Sequence, residues 1–378
     1  MKIIVVSAVN LRKGGTLTIL RECLQTLSVM ALNGEYRVVA LVHDKRLAQF
    51  DGIEYIELPW SVRSWFHRLW CEYVTMYGIS KRIGEVSLWF SLHDTTPRVK
   101  AQRQAVYCHN PFPFFRWKWI HLWLNYRIVS FALFSKWIYR FNQRKNDYIL
   151  VQQEWLRQAF VSMFGIKSED IVVAPPVLHV SKIEDHRPHD GIFRFIYPAY
   201  PDVHKNMETL CEAARLLEQE VGDQAFQVIL TTDVSMNAYG RWLFKKWGDV
   251  RSIVFRGFMN QESLFKLYGE ADCLVFPSQV ETWGLPITEF AVTDRPMLLA
   301  EMPYAHETAQ GSCQTAFFPI DDPLALKEMM KQTMRGETEV LTPVNIREIP
   351  APVAYGWEQI FSLILYDEDT TTRQVLSH

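Results

Sequence analysis

Along the chain, short apolar runs rich in β-branched residues alternate with stretches of helical spacing. Lys2–Val9 is the first such run. It passes through a polar turn, Asn10–Gly15, into Leu17, Leu20, Leu24 and Leu27, a spacing of three or four that places the leucines on one face of a helix. Arg37–Val42 predicts the next strand, and others are expected at Leu88–Leu92, Gln104–Cys108, Tyr148–Val151 and Ile171–Ala174. Pro175 and Pro176 then break the pattern, and the polar, proline-punctuated residues up to His189-Asp190-Gly191 read as a linker. Beyond it the alternation restarts. Strands are predicted at Phe193–Tyr197, Gln227–Thr231, Ser252–Phe255, Cys273–Phe276 and Met297–Ala300, and helices at Asn206–Leu217, Glu262–Tyr268, Pro286–Val292 and Pro323–Met334. Such alternation predicts α/β architecture with parallel, doubly wound sheets. The pattern therefore divides the chain into 1–177, 178–355 and a last segment, 356–378, in which Trp357–Leu365 reads as an apolar helix that needs a surface to pack on.

A length of 378 residues suits two domains better than one core. With 48% hydrophobic and 22% charged residues, the chain is neither disordered nor a coiled coil. The net charge of -2 hides an asymmetry: residues 1–177 hold 23 basic and 13 acidic side chains, and the remainder holds 17 and 29. Opposite charge on the two halves points to two domains with different work. Cys23, Cys71, Cys108, Cys211, Cys273 and Cys313 are scattered without a CxxC pair, which predicts reduced, buried thiols in a cytoplasmic protein. The five-residue apolar run after Lys2 reads as a first strand and not as a signal peptide. The most apolar stretch, Trp119–Phe141, is interrupted by Arg127, Lys136 and Arg140, so no membrane-spanning helix is expected.

The strongest chemical signal is CLVFPSQVETWGLPITE, residues 273–289. A buried strand ends at Pro277-Ser278, a loop carries Glu281 and Gly284, and Pro286 after Leu285 opens a helix whose first amides are expected to be free for an anion. Glu289 falls in its first turn, so both glutamates stand where they can accept hydrogen bonds from sugar or ribose hydroxyls. This spacing resembles the two-glutamate signature of retaining glycosyltransferases of family 4, which have the GT-B fold. The resemblance implies two Rossmann-like domains facing across a cleft, with the last helix returning to the N-terminal one.

Other strand ends fit the same resemblance. YPAYPDVHKNMETL, residues 197–210, is similar to the family's phosphate-binding loop. There Lys205 would hold the donor diphosphate, whereas Tyr200 stands where the family usually has an arginine. Asn10–Gly15 resembles the glycine-rich loop beside the donor, with Gly14 and Gly15 allowing close backbone approach. His109, after the strand ending at Cys108, matches a histidine that points at the donor sugar. His93 and Asp94 are weaker candidates for acceptor contacts. Arg256, in Val254–Phe258, corresponds to the loop that lines the nucleotide base.

Residues 111–146 carry seven basic side chains, including Arg116, Lys118 and Lys136, and no carboxylate, interleaved with aromatics such as Trp119, Trp123, Tyr126, Phe134 and Trp137. Trp65, Phe66, Arg68 and Trp70 form a second such patch. Basic and aromatic residues together favour the surface of an anionic bilayer. Stacking on single-stranded nucleic acid is the lesser alternative, and an ordinary core helix pair with a solvated basic face is the plain one.

The resemblance implies transfer of a sugar from a GDP- or UDP-linked donor to a hydroxyl of a glycan or lipid-diphosphate-linked glycan, at the inner face of a bacterial plasma membrane. The anomeric configuration would be retained. Lys205 and the helix start would take up charge on the leaving diphosphate. Glu281, Glu289 and His109 would contact the donor. Neither a metal nor a cofactor is expected. A sugar-nucleotide epimerase, a phosphorylase and a binding module without turnover are the alternatives.

Overall fold

The computed structural model describes residues 1–12, 14–178 and 182–365, without the side chains of Lys136 and Ile138. Lys13, the tail from 366 and the Lys136 side chain, all of which entered the expectations above, lie outside the described residues. The chain forms two compact units. One comprises Met1–Asn110, Phe134–Val177 and the segment from Ile349 onward; the other comprises Pro111–Leu133 and Leu178–Glu348.

The first unit is built on seven parallel strands: β1 (Lys2–Ala8), β2 (Tyr36–Val42), β3 (Ile53–Glu57), β4 (Val86–Ser91), β5 (Arg103–Cys108), β6 (Tyr148–Val151) and β7 (Ile171–Val173). Their order is β3-β2-β1-β4-β5-β6-β7. The central strands are buried on both faces, which explains their unbroken apolar runs. One face packs against the helix Gly14–Leu32 through Leu20, Leu24 and Leu27, and against the helix Gly356–Leu365 through Ile360, Phe361 and Ile364. The Phe90 ring meets Trp357 at 6.2 Å and Phe361 at 5.8 Å, so the apolar C-terminal helix finds its surface here. The chain is drawn back to this unit by the buried Arg157, whose guanidinium donates to the carbonyls of Pro350 (2.7 Å) and Pro352 (3.1 Å).

The second unit has six parallel strands: β8 (Phe193–Tyr197), β9 (Phe226–Leu230), β10 (Ile253–Phe255), β11 (Cys273–Phe276), β12 (Met297–Ala300) and β13 (Thr315–Phe318). Their order is β10-β9-β8-β11-β12-β13. In both sheets the order reverses beside the first strand, between β1 and β4 and between β8 and β11. That switch point is where loops part and leave room for a ligand.

Two edge strands escaped the pattern, β3 and β13. β3 is only half buried and needs no long apolar run, whereas β13 is mostly buried and, besides pairing with β12, is bridged from Thr315 to Thr342. The helical stretch Trp65–Ile83, broken by a π-turn at Cys71–Thr75, was visible only as an aromatic patch. Five cysteines are buried as expected, whereas Cys313 is exposed, because it sits in the loop before an edge strand.

Candidate functional site

The candidate residues fall into two groups, one in each unit. In the second unit, the loops after β8 and β11 are locked together. The buried Tyr197 hydroxyl donates to the Lys205 carbonyl (3.0 Å) and shares a hydrogen bond with Ser278 Oγ (2.7 Å). Tyr304 donates to the Ser278 carbonyl (2.7 Å), and the Gln279 amide donates to the His204 carbonyl (2.8 Å). On this frame Lys205 Nζ meets Glu281 Oε1 at 2.5 Å, with side chains 18% and 14% exposed. An ammonium has three donors. One is spent on Glu281, so the others remain available to an anion.

Glu289 is half-buried and accepts from the buried Tyr268 hydroxyl at 2.8 Å. Burial raises its pKa above the usual carboxylate range, and the Tyr268 hydrogen bond opposes this. Gly284 has φ +94°, which favours glycine on conformational grounds; a Cβ there would meet Ile287 Cδ1 at 3.3 Å, a tight contact with the end of that side chain. The expectation of several free amides at the helix start needs correction. The helix Leu285–Ala291 has seven residues, Pro286 has no N–H, and Ile287 N–H already donates to the Gly284 carbonyl at 2.9 Å. Charge on a bound anion would therefore rest mainly on Lys205.

Arg256 is exposed just beyond β10. The register aligns Phe255 with Leu230 and Leu230 with Tyr197, which sets its strand about 10 Å from β8. Tyr200 is 55% exposed. A cavity of about 760 Å³ near Glu184, Asp185, Arg187 and Arg295 holds none of the candidate residues.

Pro111–Leu133, which the sequence groups with the first half, packs with this second unit and supports the lysine loop. Asn125, at a kink in the helix Trp119–Arg140, donates to Asp202 at 2.9 Å. His121 Nε2 lies 3.8 Å from Glu208 Oε1, and Phe112 and Phe115 meet the His204 ring edge-on at 5.0 and 6.4 Å. His204 is consequently buried, and burial together with neighbouring Lys205 holds its pKa well below normal. His204 thus supports the loop as a neutral ring. Spacing gave no sign of these partners, which lie 77 to 92 residues away in sequence.

In the first unit, the loops after β1, β4 and β5 carry the other candidates. Gly14 has φ +62°, and nothing lies within 4 Å of a Cβ built on Gly14 or Gly15. Asp94, at φ +68°, accepts from the His109 amide through Oδ1 (2.7 Å), and its Oδ2 lies 3.6 Å from His109 Nε2. His109 is therefore held by Asp94, and its buried Nδ1 lacks a hydrogen bond within the described residues. His93, beside it, belongs to a closed network. It contacts Ser7 and Ser91 (both 3.1 Å), Thr95 (3.0 Å) and Glu72 (3.4 Å). Arg68 donates to Glu72 and to the His93 carbonyl, both at 2.8 Å. Burial depresses the His93 pKa to about 4. The structure thus gives His93 a supporting role and leaves His109 as the histidine available for a ligand.

Two parallel-sheet, Rossmann-like units with ligand-type loops at their switch points define a fold of the GT-B glycosyltransferase kind. Residues 194–335 match the family described as Glycosyl transferases group 1. The chain is 20% identical to the O-antigen chain mannosyltransferase RfbU of Salmonella typhimurium over 244 residues, which are 62% of this chain and 63% of that protein. The chain thus spans a little over three-fifths of that relative's length. Its fold is shared with the lipopolysaccharide outer core galactosyltransferase WaaB (TM-score 0.61, 12% identity, covering 100% and 99% of the two chains). It is also shared with Anabaena HepE, solved in complex with UDP and glucose (TM-score 0.60, 12% identity, covering 89% and 91%).

Proposed function

We propose that the protein is a glycosyltransferase of polysaccharide or lipopolysaccharide synthesis, moving a sugar from a nucleoside diphosphate sugar to a hydroxyl of a glycan acceptor. The observation that carries this reading is the Lys205–Glu281 pair, fixed at the sheet's switch point inside the segment that matches the glycosyl transferase family. The chemical difficulty is the negative charge that develops on the departing diphosphate as the C–O bond to the sugar breaks. Lys205 is already in place to meet that charge, so little reorganisation accompanies the step. Glu281 holds the lysine and a donor hydroxyl, and Glu289, steadied by Tyr268, holds the ribose. His109, steadied by Asp94, contacts the sugar. Gly14 and Gly15 leave space for a ligand, and Arg256 borders the base.

In this reading transfer retains anomeric configuration, as in family 4, and requires no metal: the leaving phosphate accepts the proton of the attacking hydroxyl. The donor base is guanine or uracil; UDP in HepE supports the latter. The acceptor is carried on a lipid diphosphate, and the enzyme works peripherally on the inner face of the bacterial plasma membrane. No described helix is long and apolar enough to cross a membrane. What supports membrane contact is the exposure of Trp119 (78%) and Trp123 (88%) on a helix whose opposite side is buried through His121 and Val129. Lys118, by contrast, is already paired with Asp321 at 2.8 Å. A second reading, donor binding without turnover, draws on Tyr200 in place of a second cation.

A thermal-shift panel with GDP-, UDP- and dTDP-sugars tests the donor site. One nucleotide family should stabilise the protein, and Glu289→Ala should weaken that binding about tenfold, the effect of losing a charged hydrogen bond. Unchanged binding in Glu289→Ala would remove the ribose role, and turnover with any acceptor would remove the second reading.

A further inference from the structure

Residues from the two aromatic stretches, some 70 residues apart in sequence, meet in one groove of the first unit. Leu69 and Tyr73 form one wall, Trp137 and Phe141 the other, and the Tyr73 and Phe141 rings touch edge-on at 5.1 Å. The groove holds about 680 Å³. Arg98 and Lys145 stand at its rim, and none of its lining residues is acidic. Arg98 is prepositioned: its guanidinium lies 4.5 Å over the Tyr77 ring, and its amide donates to the Glu72 carbonyl at 3.1 Å. Of its lining aromatics, Trp137 and Phe141 are 71% and 57% exposed.

We infer that this groove is a binding site for an anionic membrane phospholipid, with an acyl chain laid over Leu69, Tyr73, Trp137 and Phe141 and the headgroup phosphate on Arg98 and Lys145. The inference rests on the membrane-contact reading and narrows it to a site. An apolar trough with two cations at its edge complements an amphiphile with one negative charge. The exposed Trp137 and Phe141 in its lining favour a lipid still seated in a bilayer over a soluble phosphate, since aromatic rings settle at the level of the headgroups. Each methylene buried in the trough strengthens binding roughly fourfold, and each rim cation adds about fivefold at an anionic surface.

The site is also tied to the candidate chemistry. Leu69 and Tyr73 share a helical stretch with Arg68 and Glu72, spaced four apart on an adjoining face. That face is anchored to His93 and Thr95, next to Asp94, which holds His109. A lipid in the groove therefore lies against the element that supports this histidine.

The test is co-sedimentation of the full chain with phosphatidylcholine vesicles, with and without phosphatidylglycerol. It would compare Arg98→Glu/Lys145→Glu, Trp137→Ser/Phe141→Ser and a charge-matched control, Lys245→Glu/Lys266→Glu, in the second unit. Dihexanoyl-phosphatidylglycerol below its micelle threshold and inorganic phosphate serve as soluble probes, and circular dichroism confirms folding. The expected result is at least tenfold weaker binding to the anionic vesicles in both groove variants, little change in the control, and saturable binding of the short-chain lipid but not of phosphate. Equal binding to neutral vesicles, or phosphate competing as well as the lipid, would overturn the anionic-lipid assignment. Loss only on changing Trp119 and Trp123 would overturn the groove and leave membrane contact standing. Absence of vesicle binding in the unchanged protein would overturn both. Nucleotide thermal shifts in the same variants report separately on the donor site.

Discussion

Removing the charge of Lys205 separates its contribution to stability from its contribution to chemistry. The ammonium lies 2.5 Å from Glu281 Oε1, and both side chains are more than four-fifths buried. With charge centres about 4 Å apart and an effective dielectric constant of about 20, the attraction is about 4 kcal/mol. Desolvation of the two ions cancels much of it, and residual exposure screens more, leaving about 1–2 kcal/mol. Lys205→Met alone should cost more, about 2–3 kcal/mol, because it leaves Glu281 largely buried without its counter-ion. Lys205→Met/Glu281→Gln should recover part of that loss. Urea unfolding of the four proteins, followed through the second unit's transition, gives the coupling energy as the non-additive remainder. The chemical effect should be larger. A preorganised charge that meets the leaving group accounts for about a hundredfold or more in turnover, whereas Glu281→Gln keeps the lysine and loses less. Additive stabilities together with unchanged turnover in Lys205→Met would refute both the preorganised pair and the leaving-group role.

Two further consequences concern the scaffold. His93 refuses a proton in the folded protein until about pH 4, whereas the unfolded chain takes one up near pH 6.5. Stability should therefore fall as the pH drops from about 6.5 to 4, by up to about 3 kcal/mol from this group. His93→Gln should flatten that slope, and equal slopes in the two proteins would sink the assignment. Gly284→Ala places a Cβ at φ +94° and 3.3 Å from Ile287, which should cost about 1–2 kcal/mol of strain and weaken donor binding with it. A variant as stable and as tight in binding as the parent would show that the loop has another conformation available.

Much of the architecture follows from local pattern. Strands buried on both faces must be continuously apolar, so β1, β2, β4, β8 and β11 announce themselves, and the helices between them force parallel pairing. The half-buried edge strand β3 carries no such demand and was silent, as was the short β13. The same logic governs the site. Glu281, Gly284, Pro286 and Glu289 are bound into one short loop and helix start, so spacing alone placed them beside one another. Lys205 could be located at a strand end, but its pairing with Glu281 spans 76 residues and depends on β8 and β11 being neighbours.

What the sequence by itself determined is therefore the part set by nearest neighbours: two α/β halves, their loops and the residue types those loops present. Tertiary structure decided the pairings. It made Asp94 the holder of His109, turned His204 into a neutral support, and joined residues 111–133 to the second unit through Asn125, His121 and Phe112. It also brought Leu69 and Tyr73 into one groove with the distant Trp137 and Phe141. The reason is physical: apolar periodicity constrains which face of an element is buried, whereas the identity of a charged or aromatic partner depends on which elements the whole chain brings within a few ångströms.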